Sequence, residues 1–120
     1  MILGIDATEP DQLQLIIRKS ETRMTRRTIH VGHRASENYI SRIQKFLTSR
    51  NLHFSDLSGI IVRRGPGSFT ALRVGVTIAN TLAFGLGIAV VGSIGDDWLN
   101  EGFARIEHGR SDYVVEPLYQ

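Results

Sequence analysis

Cysteine is absent from all 120 residues, which excludes disulfide staples, thiolate nucleophiles and cysteine metal ligands. That usage fits a reducing compartment, and a cytoplasmic location is the expectation. No stretch offers about 18 uninterrupted apolar residues, so no membrane association is expected. The opening MILGIDATEP has no basic flank and its apolar run breaks at Asp6, unlike a secretory signal. Charge is nearly balanced. The 14 Lys and Arg against 12 Asp and Glu give a net +2, too little to mark a nucleic-acid binder by composition. Linkers, repeats and low-complexity tracts are also missing. What remains is ordinary for one globular domain over 1–120, with 42% hydrophobic and 22% charged residues.

Apolar spacing sets the element order. Residues 2–5, ILGI, ended by Asp6, read as a buried central strand. TEPDQ is turn chemistry, because Pro10 lacks a donor and Asp11 can cap. QLQLIIR and RRTIHVG alternate like half-covered strands joined by KSETRMT, so an antiparallel meander opens the chain. Arg18, Lys19, Arg23, Arg26 and Arg27 crowd this hairpin; the run reads as a solvated face, with phosphate contact the minority alternative.

The period then changes. Tyr39, Ile40, Ile43, Phe46 and Leu47 fall three and four apart, an amphipathic helix from about Ser36 to before Asn51. LSGIIV returns as a strand, a second helix runs from about Thr70 to Leu86, and GIAVVG is a buried strand of the parallel kind. Residues 93–112 form a bridging segment in which DDWLNEGFARIEHG reads as a short helix, and 113–119 read as a last strand. The order βββαβαβ, with right-handed helical crossovers over a mixed sheet, is that of a single ribonuclease-H-like α/β lobe. It is the unit duplicated in the actin, hexokinase and Hsp70 ATPase fold.

The turn RGPGSFTALRVGV (64–76) invites a phosphate-binding reading, but it fits neither common template. A P-loop needs a lysine after its last glycine, and a dinucleotide fingerprint needs a glycine where Thr70 stands. Gly65, Pro66 and Gly67 instead build a stiff corner, and Ser68 or Thr70 caps the helix that follows. In that helix Ala71, Gly75, Ala79 and Ala83 draw a stripe of small residues, and Val74, Ile78, Leu82 and Leu86 draw one of larger aliphatic ones. One apolar face suffices to cover a sheet, so the surplus is expected to face a partner. The expected interface joins Tyr39, Ile43, Phe46 and Leu47 to Ala71, Val74, Gly75, Ile78, Ala79 and Leu82. On this view Gly75→Leu would block association and leave the monomer folded.

FSDLSGIIV (54–62) and RGPGSFTALRVGVTIANTLAFGLGIAVVG (64–92) resemble the signature of the TsaB (YeaZ) family. ILGIDAT is similar to its first strand, ASENYISRIQKFLTSRNL to its first helix and VVEPLY to its last strand. Arg63 and Ala71 stand where the family often has Gly, Ala7 stands where it has Thr, and SIGDDWL replaces its own stretch. The resemblance implies a non-catalytic partner in making N6-threonylcarbamoyladenosine at tRNA position 37. Such a protein pairs with the catalytic TsaD, with a TsaE ATPase joining and tRNA reached only indirectly. It also implies a helical bundle with TsaD or between two copies; no cofactor or metal is expected. Family members run to about two lobes, so a form pared down to the dimerisation lobe is expected.

Two enzyme readings are weaker. A ribonuclease-H-like nuclease gathers three or four carboxylates around two Mg²⁺ ions; Asp6 suits the first position and Asp96 or Asp97 the last, but LSGIIV offers none between them. A metallopeptidase needs histidines on one helical face, whereas His30 and His33 are expected at a strand end on opposite faces, with His53 and His108 isolated. Ser20, Ser36, Ser68 and Ser93 show no nucleophile–base spacing. A stand-alone homodimeric module is the remaining alternative.

Overall fold

The computed structural model describes residues 1–20, 22–30 and 39–118. Five strands form one mixed sheet: β1 (Ile2–Asp6), β2 (Gln12–Arg18), β3 (Met24–His30), β4 (Gly59–Gly65) and β5 (Ala89–Ile94). Their spatial order is β3-β2-β1-β4-β5. β1 pairs antiparallel with β2 and β2 with β3, while β1 pairs parallel with β4 and β4 with β5. The central strand β1 is buried along its whole length, as an unbroken apolar run requires when both sheet faces are covered.

Three helices supply that cover. α1 (Tyr39–Ser49) and α2 (Phe69–Leu86) lie on one face, and α3 (Trp98–Glu107) lies on the other. The larger core joins Leu3, Leu13, Leu15 and Ile60 to Phe46, Val76 and Ala79; the smaller joins Ile16, Ile61 and Val91 to Trp98 and Phe103. The expected start of α1 near Ser36 lies outside the described residues; its end at Ser49 agrees with the pattern. Ser68 caps α2, its side chain accepting from the Ala71 N–H, and Gly87 in the left-handed conformation closes it. The sequence order βββαβαβ is present, followed by α3 inside the bridging segment.

Two expectations are corrected. Arg18 is not solvated: it is 4% exposed, its guanidinium lies 4.1 Å from the Phe103 ring centroid, and Nη1 donates to Asn100 Oδ1 at 2.7 Å. Residues 113–118 are not a strand either. β5's open edge is already satisfied by side chains: the Val90 N–H donates to Ser111 Oγ and the Gly92 N–H to Asp112 Oδ2. Pro117 has no donor to continue a ladder. The segment instead straps across α2, where Asn80 donates to the Val115 carbonyl at 2.9 Å and accepts from the Val115 N–H at 2.8 Å.

Asn80→Ala leaves both Val115 groups without partners, and buried orphans of this kind cost about 1–3 kcal/mol each. The expected outcome is a lower Tm together with earlier proteolytic cleavage near residue 115. An unchanged Tm and cleavage pattern would show that the strap does not depend on Asn80.

Candidate functional site

In open α/β sheets, ligands gather beyond the carboxyl ends of the parallel strands. Here that corner is built from Asp6 at the end of β1, Arg63 on β4, and Asp96 after β5. Asp6 Oδ1 accepts from the Thr8 N–H at 3.0 Å and from Thr8 Oγ1 at 2.7 Å, and Arg63 Nη1 lies 3.2 Å from Asp6 Oδ2. Arg63 Nη2 reaches Asp96 at 3.4 Å, but the Asp96 side chain is fully in solvent, so that contact adds little. Asp97 accepts from Asn100 instead of joining the corner. The Arg63 Nε and Ser93 Oγ, on register neighbours of β4 and β5, are buried without partners among the described residues.

This donor set does not fit a two-metal centre. A guanidinium already neutralises Asp6, and hydrogen bonds occupy both its oxygens. Among the described residues no three His, Asp or Glu side chains gather as ligands. His30 is exposed at the end of β3, His53 precedes a short 3-10 turn, and the His108 ring meets the Ala104 carbonyl; His33 lies outside the described residues. Among the described residues, neither the carboxylates of this corner nor the histidines are brought together as metal ligands.

The glycine turn is a corner. A Cβ on Gly67 would stand 2.7 Å from the Thr8 carbonyl oxygen, which itself accepts from the Ser68 N–H at 3.0 Å. The chain's own backbone at Thr8 is packed against the turn at Gly67. Gly65, at positive φ, and Pro66 complete the turn; Ser68 rather than Thr70 is the cap.

The helix faces differ from the expected interface. Ile43, Phe46 and Leu47 are fully buried against the sheet, and Gly75, Ile78, Ala79 and Leu82 are buried too. The small-residue stripe serves close packing inside the chain: a Cβ on Gly75 would come within 2.8 Å of Ala7 Cβ. Tyr39, Ala71 and Val74 are half-buried. Burial raises the Tyr39 phenol above its ordinary range, with Asp11 reinforcing the shift and Arg42 opposing it.

What α2 turns outward is a row the apolar stripes concealed: Thr70, Arg73, Thr77, Thr81 and Phe84. Its polar members recur at helical spacing, which is the signal that marks a solvent-facing row. Thr70, Arg73, Val74 and Thr77 line a shallow cleft of about 310 Å³. Phe84 is 92% exposed and borders an apolar cleft of about 480 Å³ with Ile88, Tyr113 and Val114. By length and composition alone α2 could cross a membrane, but its buried stripe is seated on the sheet.

Gly75→Leu is therefore expected to disrupt the monomer, lowering stability by at least about 1–3 kcal/mol through overpacking against Ala7. Thr77→Glu, on the outward row, should stay within about 0.5 kcal/mol of wild type. Chemical denaturation of both checks the assignment; equal midpoints would reverse it. Asp6→Ala removes the hydrogen-bond anchor of Thr8 and strands Arg63, which is expected to lower stability by about 1–3 kcal/mol in the same assay.

A family model described as TsaD, tRNA N6-adenosine threonylcarbamoyltransferase, matches residues 30–93, just over half of the chain. The Bacillus subtilis tRNA threonylcarbamoyladenosine biosynthesis protein TsaB is 33% identical over 89 residues, covering 74% of this chain and 38% of that protein. A tRNA N6-adenosine threonylcarbamoyltransferase of Sulfurisphaera tokodaii is 31% identical over 112 residues, covering 90% of this chain and 32% of that one. Among solved structures, YeaZ from Pseudomonas aeruginosa superposes with a TM-score of 0.68 at 21% identity, over 90% of this chain and 49% of its own. The chain thus spans half or less of the length of these relatives, and the fold it shares with YeaZ is the ribonuclease-H-like one. The matched model, TsaB relatives at about a third identity and the YeaZ fold converge: the chain belongs to the TsaD/TsaB (YeaZ) family.

Proposed function

We propose that this protein is a non-catalytic scaffold in the synthesis of tRNA N6-threonylcarbamoyladenosine, docking on a TsaD-like catalytic subunit through the outward row of α2. The observation that carries the reading is that row itself. A helix already seated on its sheet still presents Phe84 at 92% exposure beside an apolar cleft, with a second cleft along Thr70, Arg73 and Thr77 of the same row. Exposed aromatic residues next to apolar hollows are the kind of anchor that protein interfaces use. The non-catalytic half of the reading is supported by the strand-end corner, where Arg63 and Thr8 hold the carboxylate that a reaction would need. A second copy would use the same row when the catalytic subunit is absent, and a TsaE-like ATPase would join the same cytoplasmic assembly.

Size-exclusion chromatography with light scattering, on the protein alone and mixed with a TsaD-like subunit of the same organism, tests this. The expected result is a heterodimer that forms at the expense of any homodimer. Phe84→Asp combined with Thr77→Arg should abolish it, weakening association at least about 100-fold by removing one hot-spot anchor, with Tm unchanged. A wild-type protein that ignores the subunit would overturn the reading.

A further inference from the structure

The free edge of the sheet carries charge that no site described above uses. Among the described residues β3 pairs only with β2, and all seven of its residues are exposed or partly exposed, Arg26, Arg27 and Thr28 among the exposed ones. Arg23 precedes it, and Arg42 and Lys45 approach from α1 to line a groove of about 420 Å³ with Arg27 and His30. Arg42 Nη1 donates to the His30 carbonyl at 3.2 Å, tying helix to strand. Register places the charges on both sides of the edge. Arg27 is opposite Leu15 of the α1–α2 core, and Arg26 is opposite Ile16 of the α3 core.

None of these five cations forms a salt bridge among the described residues. The salt bridges found there join Arg63 to Asp6 and Asp96, and Arg105 to Asp112. Asp11 acts on Tyr39 and forms no salt bridge among the described residues. A near-neutral chain has thus gathered, at one edge, positive charge that has no salt-bridge partner among the described residues. Cations on an edge strand deter strand-to-strand association, but that role does not account for Arg42 and Lys45 entering the same groove from a helix.

We propose that this edge binds the phosphate backbone of RNA, a reading that rests on the tRNA-directed function above for its choice of RNA over other polyanions. Arginine forks match phosphate oxygens in pairs, and lysine adds a mobile point charge. Seven residues of extended strand cover about 20 Å, enough to follow several phosphates. Cations splayed to both sides of an edge suit a rod running past it. A flat anionic membrane would meet one side only. The edge lies across the sheet from β4 and β5, over which α2 is seated, so RNA and a docked subunit need not compete.

The test is fluorescence anisotropy with an unmodified tRNA transcript, at several salt concentrations between about 50 and 200 mM. Wild type is compared with the triple variant Arg26→Gln, Arg27→Gln, Lys45→Gln and with Arg110→Gln, an exposed control beyond α3. Arg42 is kept, because it ties α1 to β3. The triple variant should bind at least about 10-fold more weakly and lose about one unit of salt slope per cation removed. It should keep its Tm and its association with the TsaD-like subunit, and Arg110→Gln should behave as wild type. Unchanged RNA affinity with new self-association in the triple variant would mean that the charges only guard the edge, and would overturn the proposal. So would binding to phosphatidylserine vesicles without binding to RNA. A wild type that docks on the subunit but shows no salt-dependent RNA affinity would sink this proposal alone; RNA binding without docking would sink only the scaffold.

Discussion

The close approach of α2 to the end of β1 is the contact on which the rest of this structure depends. Gly75 sits against Ala7 and Gly67 against the Thr8 carbonyl, each too near for a Cβ without movement. Two glycines eight residues apart therefore fix where the helix starts and how far it stands from the sheet. Once that distance is set, Val76, Ala79 and Ala83 must point inward, and Thr70, Arg73, Thr77 and Phe84 must point out. A helix rolled by one residue would put a threonine into a core that cannot hydrogen-bond it.

The same junction decides the chemistry at the strand ends. Thr8 is held by Asp6 through two hydrogen bonds and, through its carbonyl, holds the Ser68 N–H. Asp6 thus works as a structural hub between β1, the glycine turn and Arg63 on β4. A carboxylate committed to a threonine and a guanidinium has little capacity left for a cation or a general-base role. The Arg63 side chain extends into this corner, where it meets Asp6 and Asp96.

The two edges of the sheet are handled in opposite ways. β5 is closed by side chains: Ser111 and Asp112 meet its backbone groups, and the strap beyond them is pinned by Asn80. β3 has no second strand partner among the described residues and carries cations on both sides. The closed edge lies beside α2 and its apolar hollow, so the surface proposed for a protein partner and the surface proposed for RNA stand at different ends of one sheet.

Periodicity alone determined much of this. The buried run ILGI, the alternation in QLQLIIR and the spacing of Ile43, Phe46 and Leu47 each encode a local burial pattern, and the structure has those elements in that order. The family was legible for a similar reason, because the glycine corner and its helix form a continuous stretch of residues. What each face touches was not legible. A stripe of small residues looks the same in sequence whether it admits a neighbouring helix or its own sheet, and only the distance from Gly75 to Ala7 decides between them. Nor could the last segment be told from a strand, since VVEPLY carries no sign that Ser111 and Asp112 have already taken the edge it would join. Arg18 likewise sits in a run of cations, yet it is buried over Phe103, 85 positions away in the chain. Local pattern fixes which residues seek burial; partners distant in sequence decide where, and those are settled only when the chain closes on itself.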